Sequence, residues 1–115
     1  MAKEYDLEER TEQFAKDVIG LCKKLTKNTI NIELISQIIR SSGSVGANYI
    51  EANESLSKKD FFYRIRISRK EAKESRYWLR LILSANPEFE RETKPLIQES
   101  QELMNIFGAI LKKSI

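Results

Sequence analysis

At 115 residues, 41% of them apolar and 32% charged, the chain can build one domain around a core without help from disulfides or metal. It has no histidine, which excludes histidine-based acid–base catalysis, zinc–histidine sites and the Glu-x-x-His chemistry of di-iron bundles. A net charge of +3 is too small to identify a partner, so the placement of the charges has to decide.

Four glycines and two prolines leave room for few turns, which points to an all-α chain of long helices forming a single domain over 1–115. Cys22 is the lone cysteine, so no internal disulfide forms and a reduced, cytoplasmic setting fits. It falls in step with Val18 and Leu25, as a small core residue rather than a nucleophile. No apolar run is long enough for a bilayer, and Met1 to Arg10 reads as too acidic and polar for a signal peptide.

The first helix is predicted over about 6–26, with Leu7, Phe14, Val18, Leu21, Cys22 and Leu25 facing inward. Acids crowd its first turns, and Lys23, Lys24 and Lys27 its end, as the helix dipole favours. Asn31 then reads as the N-cap of a second helix over about 32–55. Its inner stripe is Ile35, Ile38, Ile39, Ser42, Val45, Gly46 and Tyr49. Two glycines within it, Gly43 and Gly46, cost roughly 2 kcal/mol relative to alanine. Either the helix breaks into a loop at 41–46, or close packing offsets that cost. The small residues Ser68, Ala72 and Ser75 of the next helix favour the second outcome.

That third helix, predicted over 58–84, has three distinct faces. Phe61, Ile65, Ser68, Ala72, Ser75, Leu79 and Ile82 recur at heptad spacing and form its packing seam. Ser57 caps it with Asp60 three residues on, and Leu56 and Phe61 are placed for a hydrophobic staple. Arg66, Arg69, Lys73, Arg76 and Arg80 lie about a quarter-turn from the seam, with no acid among them. On the opposite flank stand Tyr63, Ile67, Trp78 and Leu81, interrupted by Glu74. A second apolar face calls for a second partner, most simply another copy of the chain, unless Tyr63 and Trp78 merely widen the core stripe.

Pro87 ends the third helix, and Pro95, expected in a first turn, places the fourth over about 93–113. Its seam is Leu96, Ser100, Leu103, Phe107 and Ile110. Four helices with short connections make an up-down-up-down bundle the default architecture. Charge is unevenly shared among them. Residues 1–27 balance six cations against six acids, 28–57 hold one against three, and 85–115 four against five. Residues 58–84 carry nine against three, so the basic excess sits on one helix.

Two runs in this sequence carry a resemblance. An S-x-G-A-N-x-x-E pattern spans Ser44 to Glu51, and K-E-A-x-E-x-x-Y-W-L spans Lys70 to Leu79, with Asp60, Phe61 and Phe62 between. Together they resemble the bacterial four-helix-bundle proteins of the 23S rRNA intervening-sequence family, to which the accessory protein of diversity-generating retroelements is related. The resemblance implies a left-handed bundle assembled as a ring-shaped homopentamer, without catalytic activity or cofactor. It covers the second and third helices most strongly. Asn48 and Glu51 match its signature on the second helix, where a polar clamp fixing helix register is their expected role, and Glu71 and Glu74 match its pattern on the third.

Three functions are open to such a chain. The first is a non-enzymatic oligomeric scaffold binding RNA or DNA through the basic stripe, whose arginine forks suit phosphates. The second is an adaptor docking a nucleic-acid enzyme such as a reverse transcriptase. The third is a magnesium-dependent nucleotide pyrophosphohydrolase, if Glu51-x-x-Glu54 and Glu71-x-x-Glu74 gather around hard cations. The plain competing explanation of the stripe is a solvated face partly neutralised by Glu71 and Glu74.

Overall fold

A computed structural model describes residues 6–114; Met1 to Tyr5, the start of the polar N-terminal stretch, and Ile115 lie outside the described residues. Four long helices dominate: α1 (Leu7–Lys24), α2 (Thr29–Asn53), α3 (Lys58–Ala85) and α4 (Glu90–Leu111). Short 3-10 turns at Pro87–Phe89 and Lys112–Ser114 flank α4, and the described residues contain no strand. None of these helices is long and apolar enough to cross a membrane. The 28 residues of α3 rise about 42 Å, close to the molecule's full length of 45 Å.

The packing seams follow the heptad reading except at Ile39, placed on the inner stripe of the second helix but 39% exposed. Phe14, Val18, Ile38, Val45, Ile65, Leu79, Ile82, Leu103 and Phe107 are fully buried at the centre. The small centre of α3 meets α2 closely: Ser75 Oγ donates to Ser41 Oγ at 2.9 Å and Ser68 Oγ to the Val45 carbonyl at 2.9 Å. Both hydroxyls are sealed from water, so these bonds fix the two helices in one register. Along this contact the partners ascend on α2 as they descend on α3.

Several local expectations are corrected. α2 is continuous through 41–46, but Gly46 faces α1 rather than α3: a Cβ there would lie 2.8 Å from Thr11 Oγ1. Thr11 itself turns its hydroxyl back onto the Leu7 carbonyl at 2.7 Å, which lets it be buried against that glycine. Asn31 is not the N-cap of α2. Asn28 is, accepting from the Asn31 backbone N–H at 2.8 Å, and the helix starts at Thr29. Asn31 is instead buried, joined to Asn86 by two amide hydrogen bonds of 2.9 Å.

Ser57 caps α3 as read, accepting from the Asp60 N–H at 3.1 Å. The staple does not form, because Leu56 is fully exposed and Phe61 packs edge-on against Phe62. α4 begins at Glu90, three residues before the expected start, because the 3-10 turn leads straight into it. Pro95 therefore sits in the second turn. The bond it cannot make belongs to the carbonyl of exposed Arg91, where water can substitute.

Candidate nucleic-acid interface

The basic stripe lies along the outer edge of the contact between α3 and α4. Arg66, Arg69, Lys73 and Arg80 are exposed, while Arg76 is half-buried and donates to Gln101 Oε1 on α4. Arg69 lies across Gly108 of α4, where a Cβ would come within 3.5 Å of its Nε. Among the described residues, no ion pair engages any of the five cations.

The acids are committed elsewhere, which is why the stripe stays free. Glu71 and Glu74 turn away from it and clasp Arg40 of α2 at 3.3 and 2.7 Å, Glu71 being buried. The neutralisation weighed from sequence therefore falls on a different cation. Arg10 of α1 is held by Glu99 and Glu102 of α4 at 2.7 and 2.8 Å. Those hydrogen bonds, Glu99's foremost, hold the Arg10 guanidinium protonated beyond any working pH. Donation from Gln98, and then from Arg10, lowers the Glu102 carboxyl below its ordinary value. Lys16 and Lys94 are paired along their own helices with Glu12 and Glu90.

On the opposite flank of α3, Tyr63 is 58% exposed, and Ile67, Trp78 and Leu81 are half-buried. Trp78 packs against its own core and meets the exposed Tyr77 edge-on at 5.1 Å. Its Nε1 is sealed from solvent and, among the described residues, has no hydrogen-bond partner. Glu74, placed on this flank from sequence, is the residue that binds Arg40.

The signature residues divide. Asn48 donates to the Ser44 carbonyl at 2.9 Å and accepts from Arg64 of α3 at 3.1 Å, a polar link between helices. Glu51 is exposed and shares neither partner. Nor do the two Glu-x-x-Glu pairs meet. Glu71 and Glu74 lie opposite Arg40, and Glu51 is eleven residues further along α2, about 16 Å away. Among the described residues, no three His, Cys, Asp or Glu side chains are placed to share a metal ion.

Sequence reasoning missed the α4 side of this seam. Gln98, Gln101 and Asn105 recur at three and four residues, a spacing that was visible, but polar amides carry no charge to draw attention. It also missed Arg10 and Arg40, whose partners are 89 and 31 or more residues away.

A family model described as 23S rRNA-intervening sequence protein matches residues 3–109. A similar solved structure is that of a protein of unknown function from the S23 ribosomal protein family of Bacteroides thetaiotaomicron. It is 30% identical, with a TM-score of 0.83 over 91% of this chain and 97% of that one. No curated protein shows significant similarity to the chain.

Proposed function

We propose, from the premise that this chain belongs to the 23S rRNA-intervening sequence protein family, that it is a non-enzymatic scaffold binding nucleic acid through the α3 stripe. The observation that carries this reading is a row of five cations along about 21 Å of helix, unpaired with any acid among the described residues. A solvated structural face has no need to keep acids away. Here the carboxylates next to it in sequence, Glu71 and Glu74, are both turned to Arg40. Guanidinium forks matched to phosphate oxygens are what such a row offers.

The scaffold is an up-down-up-down, left-handed bundle that works in the cytoplasm as a homo-oligomer, a pentamer in the family's pattern. Tyr63, Ile67 and Leu81 supply the apolar ground for self-association, since they leave a second face of α3 in water. Repeating the stripe around a ring multiplies weak contacts through effective concentration.

The test is titration of fluorescent RNA and DNA at two salt concentrations, with solution mass read by light scattering on the same sample. Steeply salt-dependent binding by an oligomer is expected. Binding that is absent or indifferent to salt overturns the reading, and a monomer removes the ring.

A further inference from the structure

We propose that the seam between α3 and α4 is a track selective for single-stranded nucleic acid, in which α4 amides contact unpaired bases beside the α3 phosphate contacts. The inference rests on the nucleic-acid reading above and adds what kind of strand the site accepts and which residues select it.

The first argument is steric. A duplex is read in its major groove, about 12 Å wide, by an element slim enough to enter. α3 is held between α2 and α4 in a body 28 by 20 Å in cross-section, so it cannot enter. A duplex could offer this surface only its phosphates. A single strand can lay its bases across the seam as well.

The second argument is what the seam contains. The Arg76–Gln101 bond bridges it near the middle, and an open groove lies on either side. One, of about 660 Å³, is bordered by Arg80, Leu83, Ile97 and Gln98. The other, of about 650 Å³, is bordered by Arg66, Arg69, Asn105 and Gly108. The first thus joins one α3 cation, and the second two, to an amide from α4, and the first has an apolar wall for a base to lie against.

Hydrogen-bonding capacity is the third argument. Gln98 spends its Nε2 on Glu102 at 3.1 Å, and Asn105 spends its Oδ1 on Gln101 at 3.1 Å. Gln98 Oε1 and Asn105 Nδ2 make no hydrogen bond among the described residues, and both side chains are exposed. An acceptor at one groove and a donor at the other suit base edges. Tyr77, one turn beyond Lys73, is 56% exposed and edge-on to Trp78, and it lines neither groove.

The experiment is fluorescence anisotropy with single-stranded RNA and DNA of about 20 nucleotides and their duplexes, using the full chain and the double variant Gln98→Ala/Asn105→Ala. Both positions are exposed and neither supplies the Arg76 bond, so the variant should melt as the parent does by circular dichroism. Single strands are expected to bind the parent about tenfold more tightly than duplexes. The variant should lose about tenfold on single strands and nothing on duplexes. Its salt slope should be unchanged, because no phosphate contact is removed. Equal or tighter duplex binding, or a variant unaffected on single strands, overturns the track while steep salt dependence still upholds the function. No binding to any nucleic acid overturns both.

Discussion

Asn31 and Asn86 show how much a single buried pair can decide. Each amide donates to the other's carbonyl, and the remaining N–H bonds go to the Thr26 and Ile82 carbonyls at 2.8 and 3.0 Å. The pair ties the start of α2 to the end of α3 with every amide N–H satisfied. Asn86→Ala should therefore cost about 2 kcal/mol, since Asn31 Oδ1 is left buried without a donor. Denaturant melts of the two single variants and the double would show coupling of the same sign. The pair was not legible in the sequence: its members are 55 residues apart and look like cap and turn asparagines. Cys22, by contrast, was legible from its step with Val18 and Leu25. Burial pushes its thiol from 9.0 up to about 11, so it should resist iodoacetamide in the folded chain and react fully in urea. Between those values the folded chain keeps a proton that the unfolded chain releases. The Cys22 contribution to stability should accordingly be constant below pH 9.0 and fall as pH rises from 9.0 towards about 11.

At the scale of the helix, the two glycines of α2 separate propensity from packing. Gly43 has open space where a Cβ would go, whereas Gly46 has Thr11 Oγ1 at 2.8 Å and Thr11 Cβ at 3.1 Å. Gly43→Ala should raise stability by about 0.5–1 kcal/mol through propensity and unfolded-state entropy. Gly46→Ala gains the same propensity but pushes α1 and α2 apart, and should be net destabilising. Thermal melts that moved both variants in the same direction would contradict this packing account. The seams were legible because apolar spacing reports burial, although in α2, where isoleucines stand on several faces, the same signal wrongly placed exposed Ile39 inward. The ends of α3 were legible from Ser57 and Pro87, but the starts of α2 and α4 were not: the cap is Asn28 rather than Asn31, and a 3-10 turn precedes α4. The expected clamp of Asn48 and Glu51 forms only at Asn48, and the clamp on α3 was not legible. Glu71 and Glu74 found Arg40, which no periodicity within either helix could single out.

For the whole molecule, the organising fact is that α3 serves three neighbourhoods at once. Its seam is in the core, its Tyr63 flank faces outward, and its cations border α4. The basic excess of residues 58–84 made that last face legible before any coordinates. What the sequence could not supply was the disposition of the acids. Only the fold shows Glu71 and Glu74 turned to Arg40, and Glu99 and Glu102 turned to Arg10. The same disposition separates the two Glu-x-x-Glu pairs, which is the physical objection to a magnesium site built from all four carboxylates. The most direct test of the stripe is the slope of log affinity against log salt for single-stranded nucleic acid, compared between the parent and an Arg69→Ala/Lys73→Ala/Arg76→Ala variant. Each phosphate contact contributes about 0.7 to that slope, so the slope should fall by about 2 as affinity drops. An unchanged slope in a folded variant would contradict the assignment of this face to nucleic acid.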